Sequence, residues 1–152
     1  MREYPSLTVI ATTAGGGAGY QAFKTLADAI TANDIAMTTP VLSDVRGAGG
    51  GAGGAMRFVL PPGTAPPPPT PGVSVDTIPG GPYATASFTG FATDAAAARA
   101  EAALRRDVAA AGLKVAPDAK ALLAVYNGPD TLLPPLRLNE VWLPLAEFDV
   151  WQ

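Results

Sequence analysis

Two segments of the chain have the spacing of an amphipathic helix, and each lies between runs that favour β-strands. The first is 20–30 and the longer second one is 93–112. In the first segment apolar residues recur at i, i+3, i+4 and i+7, at Phe23, Leu26, Ala27 and Ile30. Each helix therefore has an apolar face that must be buried against other elements.

Seven runs rich in β-branched and aromatic residues predict the strands. They are residues 6–13, 35–42, 56–60, 73–78, 83–91, 121–127 and 139–145. A strand, a glycine-bearing turn, a helix and further strands follow one another twice, from about Leu7 and from about Tyr83. The sequence predicts an α+β fold and a single domain over residues 1–152. Two similar strand-helix-strand halves would place two helices against one strongly curved antiparallel sheet.

The segment 93–112 carries start and stop signals of a helix. Thr93 or Asp94 can cap its start, and Gly112 stands just past its end. Glu101 and Arg105 can pair at i, i+4. The buried side is predicted at Leu104, Val108 and Ala111.

The chain contains no histidine and no cysteine. This excludes disulfides, thiolate chemistry, Ser-His-Asp nucleophiles and zinc or haem held by histidine. The net charge is −3 and no basic run exceeds two residues, which argues against nucleic acid as the main partner. No apolar stretch of about 18 residues is free of turn signals, so we expect a soluble protein without a membrane span.

Two segments are biased towards glycine or proline. Residues 47–55 are glycine-rich, but no lysine followed by serine or threonine ends them, so a hairpin tip is favoured over a phosphate cradle. Residues 61–72 are proline-dense and are predicted to be extended. A rigid connector is favoured there over an SH3-type ligand.

The run "IAMTTPV" at 35–41 fits neither a regular helix nor an alternating strand. Thr38 and Thr39 favour a strand and can bond locally, and Pro40 ends the pairing on one side. Met37 offers an adaptable apolar surface. We predict the rim of an apolar pocket, and the alternative is a barrel corner that binds no ligand.

Glu140 in "NEVWLPL" can point outward from a half-exposed strand. If it points inward it must be paired, and Arg137 is a nearby candidate. A structural role is favoured over catalysis. Asn139 is expected to satisfy backbone groups at the turn.

Six motifs resemble those of the SOUL haem-binding protein family, in the family's order and at roughly its spacing. They are "REYPS" (2–6), "AFKTLADAI" (22–30), "IAMTTPV" (35–41), "MRFVLP" (56–61), "LLAVYNGP" (122–129) and "RLNEVWLPL" (137–145). The resemblance implies a distorted antiparallel β-barrel with two helices, built from two similar halves. It also implies a tetrapyrrole ligand, haem or protoporphyrin, in a shallow apolar cleft along the first helix and the loop before the last strand.

The resemblance also implies the residues that contact the ligand. Lys24 matches a position where a relative has a basic residue for a haem propionate. Ala27 and Thr31 match bulky apolar positions of that relative, and Tyr126 matches the family's tyrosine. Met37, Leu132 and Leu133 complete the predicted cleft.

Each polar or sulfur-bearing residue of this set has a second interpretation. Lys24 can be a solvated helix residue, Met37 a rim side chain and Tyr126 a packed aromatic residue. As ligand contacts, Lys24 or Arg57 could hold one propionate, and Met37 or Tyr126 could approach iron as a weak axial ligand. No separate metal site is predicted.

Three functions remain open on the sequence. The first is a non-enzymatic tetrapyrrole carrier or buffer, and the second is a ligand-free structural or protein-interaction module on the same fold. The third is an enzyme acting on a hydrophobic small molecule, which is disfavoured because no acid–base pair has a predictable geometry. The resemblance implies an intracellular protein of the cytoplasm or of a plastid such as the chloroplast.

Overall fold

The computed structural model describes residues 2–13, 19–45, 54–117, 119–126 and 137–146. The helices are α1 (Gly19–Ala32) and α2 (Asp94–Ala110). The strands are β1 (Arg2–Tyr4), β2 (Leu7–Thr12), β3 (Val41–Asp44), β4 (Met56–Val59), β5 (Ser74–Ile78), β6 (Gly81–Thr89), β7 (Leu122–Val125) and β8 (Leu138–Pro144). The predicted α+β class is confirmed.

All eight strands form one antiparallel sheet in the order β1-β6-β8-β7-β3-β4-β2-β5. Each helix follows one strand and precedes two more. The first unit is β2-α1-β3-β4, and the second is β6-α2-β7-β8. In the sheet, β2 lies beside β4 as β6 lies beside β8, and β3 pairs with β7 between them. This order agrees with the expected plan, and the structural similarity of the two halves stays a prediction.

The sheet is curled into a half-barrel because short links join its opposite ends. Residues 5–6 connect β1 at one edge to β2 near the other, and residues 79–80 connect the edge strand β5 to β6. A Cβ on Gly80 would lie 2.8 Å from the nitrogen of Ser6 and 3.0 Å from the carbonyl oxygen of Tyr4. A side chain does not fit there, so glycine permits the two links to pack together.

The concave face of the half-barrel holds one of three apolar clusters. Its buried members come from six strands and are Val9, Leu42, Ile78, Tyr83, Leu122, Ala124 and Trp142. Tyr4 and Tyr126 pack against them and are partly buried. Because side chains alternate across a strand, the residues between these positions face the convex side.

Both helices pack on the convex face. The buried residues Leu26, Ala29 and Ile30 of α1 meet Ile10 and Phe58 of the sheet. The buried residues of α2 and its strands are Ala84, Leu104, Val108, Ala121, Val141, Leu143 and Leu145. The predicted apolar side of α1 is confirmed, with Phe23 and Ala27 half-buried at its border.

The signals read for α2 are confirmed with one exception. The Thr93 Oγ1 accepts a hydrogen bond from the Ala96 N–H at 3.1 Å. Glu101 and Arg105 pair at 3.3 Å. The prediction that Ala111 is buried was wrong: the helix ends at Ala110, and Ala111 is its exposed C-cap.

The predicted strand 35–42 was wrong over most of its length, because β3 begins only at Val41. Pro40 has no N–H to donate to a ladder, and the Thr38 hydroxyl donates to the carbonyl of Val59 from outside the sheet. The consecutive strands β3 and β4 pair antiparallel, as expected for a hairpin. The predicted hairpin tip falls largely on residues 46–53, which lie outside the described residues. Residues 61–69 lie between β4 and β5 and contain no strand.

Candidate functional site

Four residues of α1 lie along one stripe of the helix surface, at i, i+4, i+7 and i+11: Tyr20, Lys24, Ala27 and Thr31. The side chain of Tyr20 is 77% exposed, and Lys24 and Thr31 are also exposed. Ala27 is half-buried and packs on the cluster under the helix. Thus three predicted contact residues share one surface, and Tyr20 joins them. Tyr20 could have been predicted from the sequence, because it lies four residues before Lys24 and therefore on the same side of the helix.

Lys24 already has a partner on the helix. Its Nζ lies 2.6 Å from a carboxylate oxygen of Asp28, one turn further on, and both side chains are more than half exposed. The hydrogen bond to Asp28 raises the pKa of Lys24 above its ordinary value, so the ammonium group is charged at neutral pH. A ligand carboxylate at Lys24 would have to compete with Asp28.

Met37 is 45% exposed and follows the turn that ends α1. Asp34 has a positive φ of 57°, and the Ile35 N–H donates to the Ile30 carbonyl at 2.9 Å. Ile35 packs on the same cluster as α1. Met37 therefore follows a segment anchored to the α1 side of the sheet, and the residue is partly accessible to solvent.

Tyr126 is on the other face of the sheet. It packs with the concave cluster, and its hydroxyl donates to the Glu140 Oε1 at 2.6 Å. Burial and this hydrogen bond raise the pKa of Tyr126 well above its usual range. The structure therefore does not bring Tyr126 into the α1 stripe, and its role as a ligand contact stays a prediction. Leu132 and Leu133 lie outside the described residues.

Glu140 points inward and is 4% exposed. Its Oε1 accepts from the Tyr126 hydroxyl at 2.6 Å and from the Trp142 Nε1 at 3.1 Å. Arg2 reaches its Oε2 at 2.8 Å. Burial disfavours the charged form, but the hydrogen bonds from Tyr126, Arg2 and Trp142 outweigh it and lower the pKa of Glu140 below its ordinary value.

Aromatic rings surround this carboxylate on the concave face. Tyr4 is stacked on Trp142 with ring centroids 4.4 Å apart, and Tyr83 meets Tyr4 edge-on at 5.5 Å. The Tyr83 hydroxyl donates to the Pro79 carbonyl at 2.8 Å. Among the described residues, the hydrogen-bond donors at Glu140 belong to packed side chains or to β1, so the arrangement is that of a structural network.

The inward partner expected for Glu140 was wrong, because Arg2 takes the place proposed for Arg137. The guanidinium of Arg137 lies 5.1 Å from the centroid of the Phe91 ring. β1 pairs with β6, and this pairing brings Arg2 across the sheet to Glu140. Asn139 has the expected role, since its amide donates to the Gly90 carbonyl at 2.8 Å.

Two cavities open along the concave side. One, of about 440 Å³, lies between the β5–β6 link and the described residues Ala116, Pro117, Ala119 and Lys120. The charged side chains among its described lining residues are Asp44, Arg57 and Lys120. The other, of about 480 Å³, is lined by Arg57 and Asp76 beside small and hydroxyl-bearing residues. Residues of α1 line neither of these two cavities.

Among solved structures, a hydrolase from Listeria innocua has a similar fold, with a TM-score of 0.64 and 14% sequence identity over 95% of this chain and 90% of that chain. A structure of SAV2435 bound to tetraphenylphosphonium has a TM-score of 0.48 and 13% identity, over 95% and 92% of the two chains. No curated protein matches the chain. At this identity the Listeria structure supports the α+β half-barrel and nothing about activity.

The family model described as "SOUL heme-binding protein" matches residues 1–144 of the 152. The chain belongs to the SOUL haem-binding family. The α1 stripe fits such a ligand in part: it offers a cation and exposed aromatic surface, but small residues where bulk was expected. Among the described residues, no group of three or more acidic side chains could hold a metal ion. None of the described helices is both long and apolar enough to cross a membrane.

Proposed function

We propose that the protein binds a tetrapyrrole, either haem or a free porphyrin, without catalysis and as a carrier or buffer. The observation that carries this proposal is the family match over residues 1–144. The α1 stripe is the surface that we assign to the ligand, because it combines an exposed ring at Tyr20 with a cation at Lys24. Met37 adds apolar surface next to the end of the helix.

The chemistry of a porphyrin suits this surface. Its flat apolar face gains most of its binding free energy from leaving water, and Tyr20, Ala27 and Met37 provide apolar contact. The propionates extend from one edge and require a cation or water, and Lys24 can serve one of them in place of Asp28. Leu132 and Leu133, although outside the described residues, remain part of the proposed cleft.

Iron ligation is secondary in this proposal. The chain has no histidine or cysteine, and the Tyr126 hydroxyl is engaged by Glu140 on the opposite face. Met37 is the remaining candidate, and a thioether is a weak ligand on its own. Haem iron would bring redox chemistry with it, whereas the protein side chains would bind and orient the ring. We therefore expect hemin and protoporphyrin IX to bind with similar affinity.

The test is a titration of the protein with hemin and, in parallel, with protoporphyrin IX, followed by absorbance and tryptophan quenching. The variant Lys24→Glu replaces attraction to a propionate by repulsion and should weaken binding about three- to tenfold, as expected for an exposed ion pair. Arg99→Glu makes the same charge change on the exposed side of α2 and should leave the affinity unchanged. Equal weakening by both variants, or the absence of saturable binding, would contradict the proposal.

A second function is favoured by two features of the same stripe. Ala27 and Thr31 are small where a relative has bulky residues, and Lys24 is already paired with Asp28. These features suit a structural or protein-interaction module that has lost the ligand. If neither pigment saturates, this second function replaces the first.

The compartment is also a proposal. The family includes cytosolic animal proteins and plastid proteins of plants and algae, and we place this chain in the cytoplasm or in a plastid such as the chloroplast. Microscopy of the full-length protein carrying a C-terminal fluorescent fusion distinguishes the two.

A further inference from the structure

The cavity of about 440 Å³ on the concave side has apolar walls and a charged floor. Its apolar lining residues include Ile78, Tyr83, Leu122, Pro144 and Leu145. Its charged lining residues are Asp44, Arg57 and Lys120. A volume of this size is in the range of small-molecule sites, which are typically apolar with a few convergent polar groups.

Arg57 uses little of its hydrogen-bonding capacity. Its Nη1 donates to the Asp44 Oδ1 at 2.9 Å, and its side chain is only 15% exposed. The Nε–H is buried and has no hydrogen-bond partner among the described residues. A guanidinium that has one carboxylate partner still has N–H groups to donate, and a ligand carboxylate can accept two parallel hydrogen bonds from such a group.

Asp44, in contrast, has a hydrogen-bond partner at each carboxylate oxygen. Its Oδ1 accepts from Arg57, and its Oδ2 accepts from the Ala55 N–H at 3.0 Å. Lys120 is exposed at the rim and forms no ion pair within the part of the chain that the structure describes. Among the described lining residues, two cations thus stand against one carboxylate that already has partners, and this balance favours an anion.

The neighbouring cavity of about 480 Å³ also includes Arg57, but its other charged lining residue is Asp76. A carboxylate ligand there would meet the negative charge of Asp76, and no second cation is present among the described lining residues. Electrostatics therefore favours the 440 Å³ cavity over its neighbour.

We propose that the 440 Å³ cavity binds a small amphipathic monocarboxylate. The ligand carboxylate pairs with the guanidinium of Arg57, Lys120 adds attraction at the rim, and the apolar part of the ligand lies along Ile78 and Leu122. This site is on the concave face, whereas α1 and its stripe are on the convex face. It therefore does not depend on the proposed tetrapyrrole binding.

Isothermal titration calorimetry with octanoate tests the proposal, and octan-1-ol serves as the matched probe without a carboxylate. We expect saturable binding of octanoate at one site and at least tenfold weaker binding of octan-1-ol. Arg57→Gln should weaken octanoate binding about tenfold or more. The affinity of Arg57→Lys should lie between those of Arg57→Gln and the wild type, because lysine keeps the positive charge but cannot donate two parallel hydrogen bonds as a planar guanidinium does. Asp44→Asn should tighten binding, since it removes the competing carboxylate.

Arg99→Gln and Lys24→Glu are the controls, on α2 and on the α1 stripe, and neither should change the affinity for octanoate. If Arg57→Gln does not fold, Lys120→Gln decides, because Lys120 is exposed and its loss should still weaken binding about two- to threefold. Four results would overturn the proposal. They are no saturable octanoate binding, equal affinity for octan-1-ol, unchanged affinity in both Arg57→Gln and Lys120→Gln, and loss of binding in Lys24→Glu.

Discussion

Glu140 is a carboxylate held inside an aromatic cluster. A buried charge is stable only when hydrogen-bond donors replace the water that it has lost. Tyr126, Trp142 and Arg2 supply these donors, and they come from β1, the end of β7 and β8 itself. Glu140 therefore connects three segments of the concave face, although the guanidinium of Arg2 is half exposed and its ion pair is weakened by solvent.

Glu140→Gln should lower the free energy of unfolding by about 1–3 kcal/mol. The amide keeps one acceptor but places an NH2 group opposite a donor, so one hydrogen bond is lost and its donor is left without a partner. Urea unfolding followed by tryptophan fluorescence measures the effect. Glu3→Gln, on the exposed side of β1, is the control and should change stability by less than about 0.5 kcal/mol.

The pH dependence of stability should report the same carboxylate. The folded-state pKa of Glu140 lies below the ordinary value of 4.5, so its contribution is full above 4.5 and is lost as the pH falls through the lower folded-state pKa. The difference in unfolding free energy between the wild type and Glu140→Gln should therefore narrow at acidic pH. Urea titrations from neutral to acidic pH check this, and a difference that stays constant or grows would contradict it.

The sequence predicts residue-level contacts when both partners are close along the chain. Glu101 with Arg105, and Thr93 with the start of α2, follow from local spacing and are confirmed. The partner of Glu140 was wrong, because Arg2 is 138 residues away and reaches it only through the pairing of β1 with β6. No local sequence pattern encodes the register between β1 and β6.

At the scale of elements, the side chain of Thr93 caps the N-terminus of α2. The Thr93 hydroxyl satisfies the Ala96 N–H, which has no carbonyl partner within the helix. Thr93→Ala should lower the unfolding free energy by about 1 kcal/mol, whereas Thr93→Ser keeps the cap and should be nearly neutral. Thermal unfolding followed by circular dichroism compares the two variants, and equal losses would show that the hydroxyl does not act as the cap.

The helices were predicted well because their signal is a period of 3.6 residues over several turns. The strand predicted over 35–42 was wrong because its signal was composition alone. Threonine, isoleucine and valine favour strands, but Pro40 allows pairing only beyond it, so β3 keeps just Val41 and Leu42 of that run.

At the scale of the whole molecule, the sheet separates residues that the family resemblance places in one cleft. Lys24, Ala27 and Thr31 share the convex side with α1, whereas Tyr126 belongs to the concave cluster. Which face of the sheet a residue occupies depends on the register of all eight strands, and the six motifs do not encode this. The same arrangement separates the proposed tetrapyrrole surface from the carboxylate cavity, and no motif of the sequence predicts that cavity.

The closure of the half-barrel depends on the contact of two short links, and Gly80 tests it. Gly80→Ala would place a Cβ 2.8 Å from the backbone nitrogen of Ser6, so a link must move and strain the pairing of β1 with β6. We expect a loss of about 2–3 kcal/mol in unfolding free energy.

Gly63→Ala is the control, because Gly63 has a positive φ of 77° but nothing within 4 Å of the added Cβ, and backbone strain alone should cost about 1 kcal/mol. Because the shifted link also carries Tyr4 away from Trp142, only Gly80→Ala should change the tryptophan emission of the folded protein. If the two variants lose equal stability and keep the wild-type emission, the links do not hold the half-barrel closed.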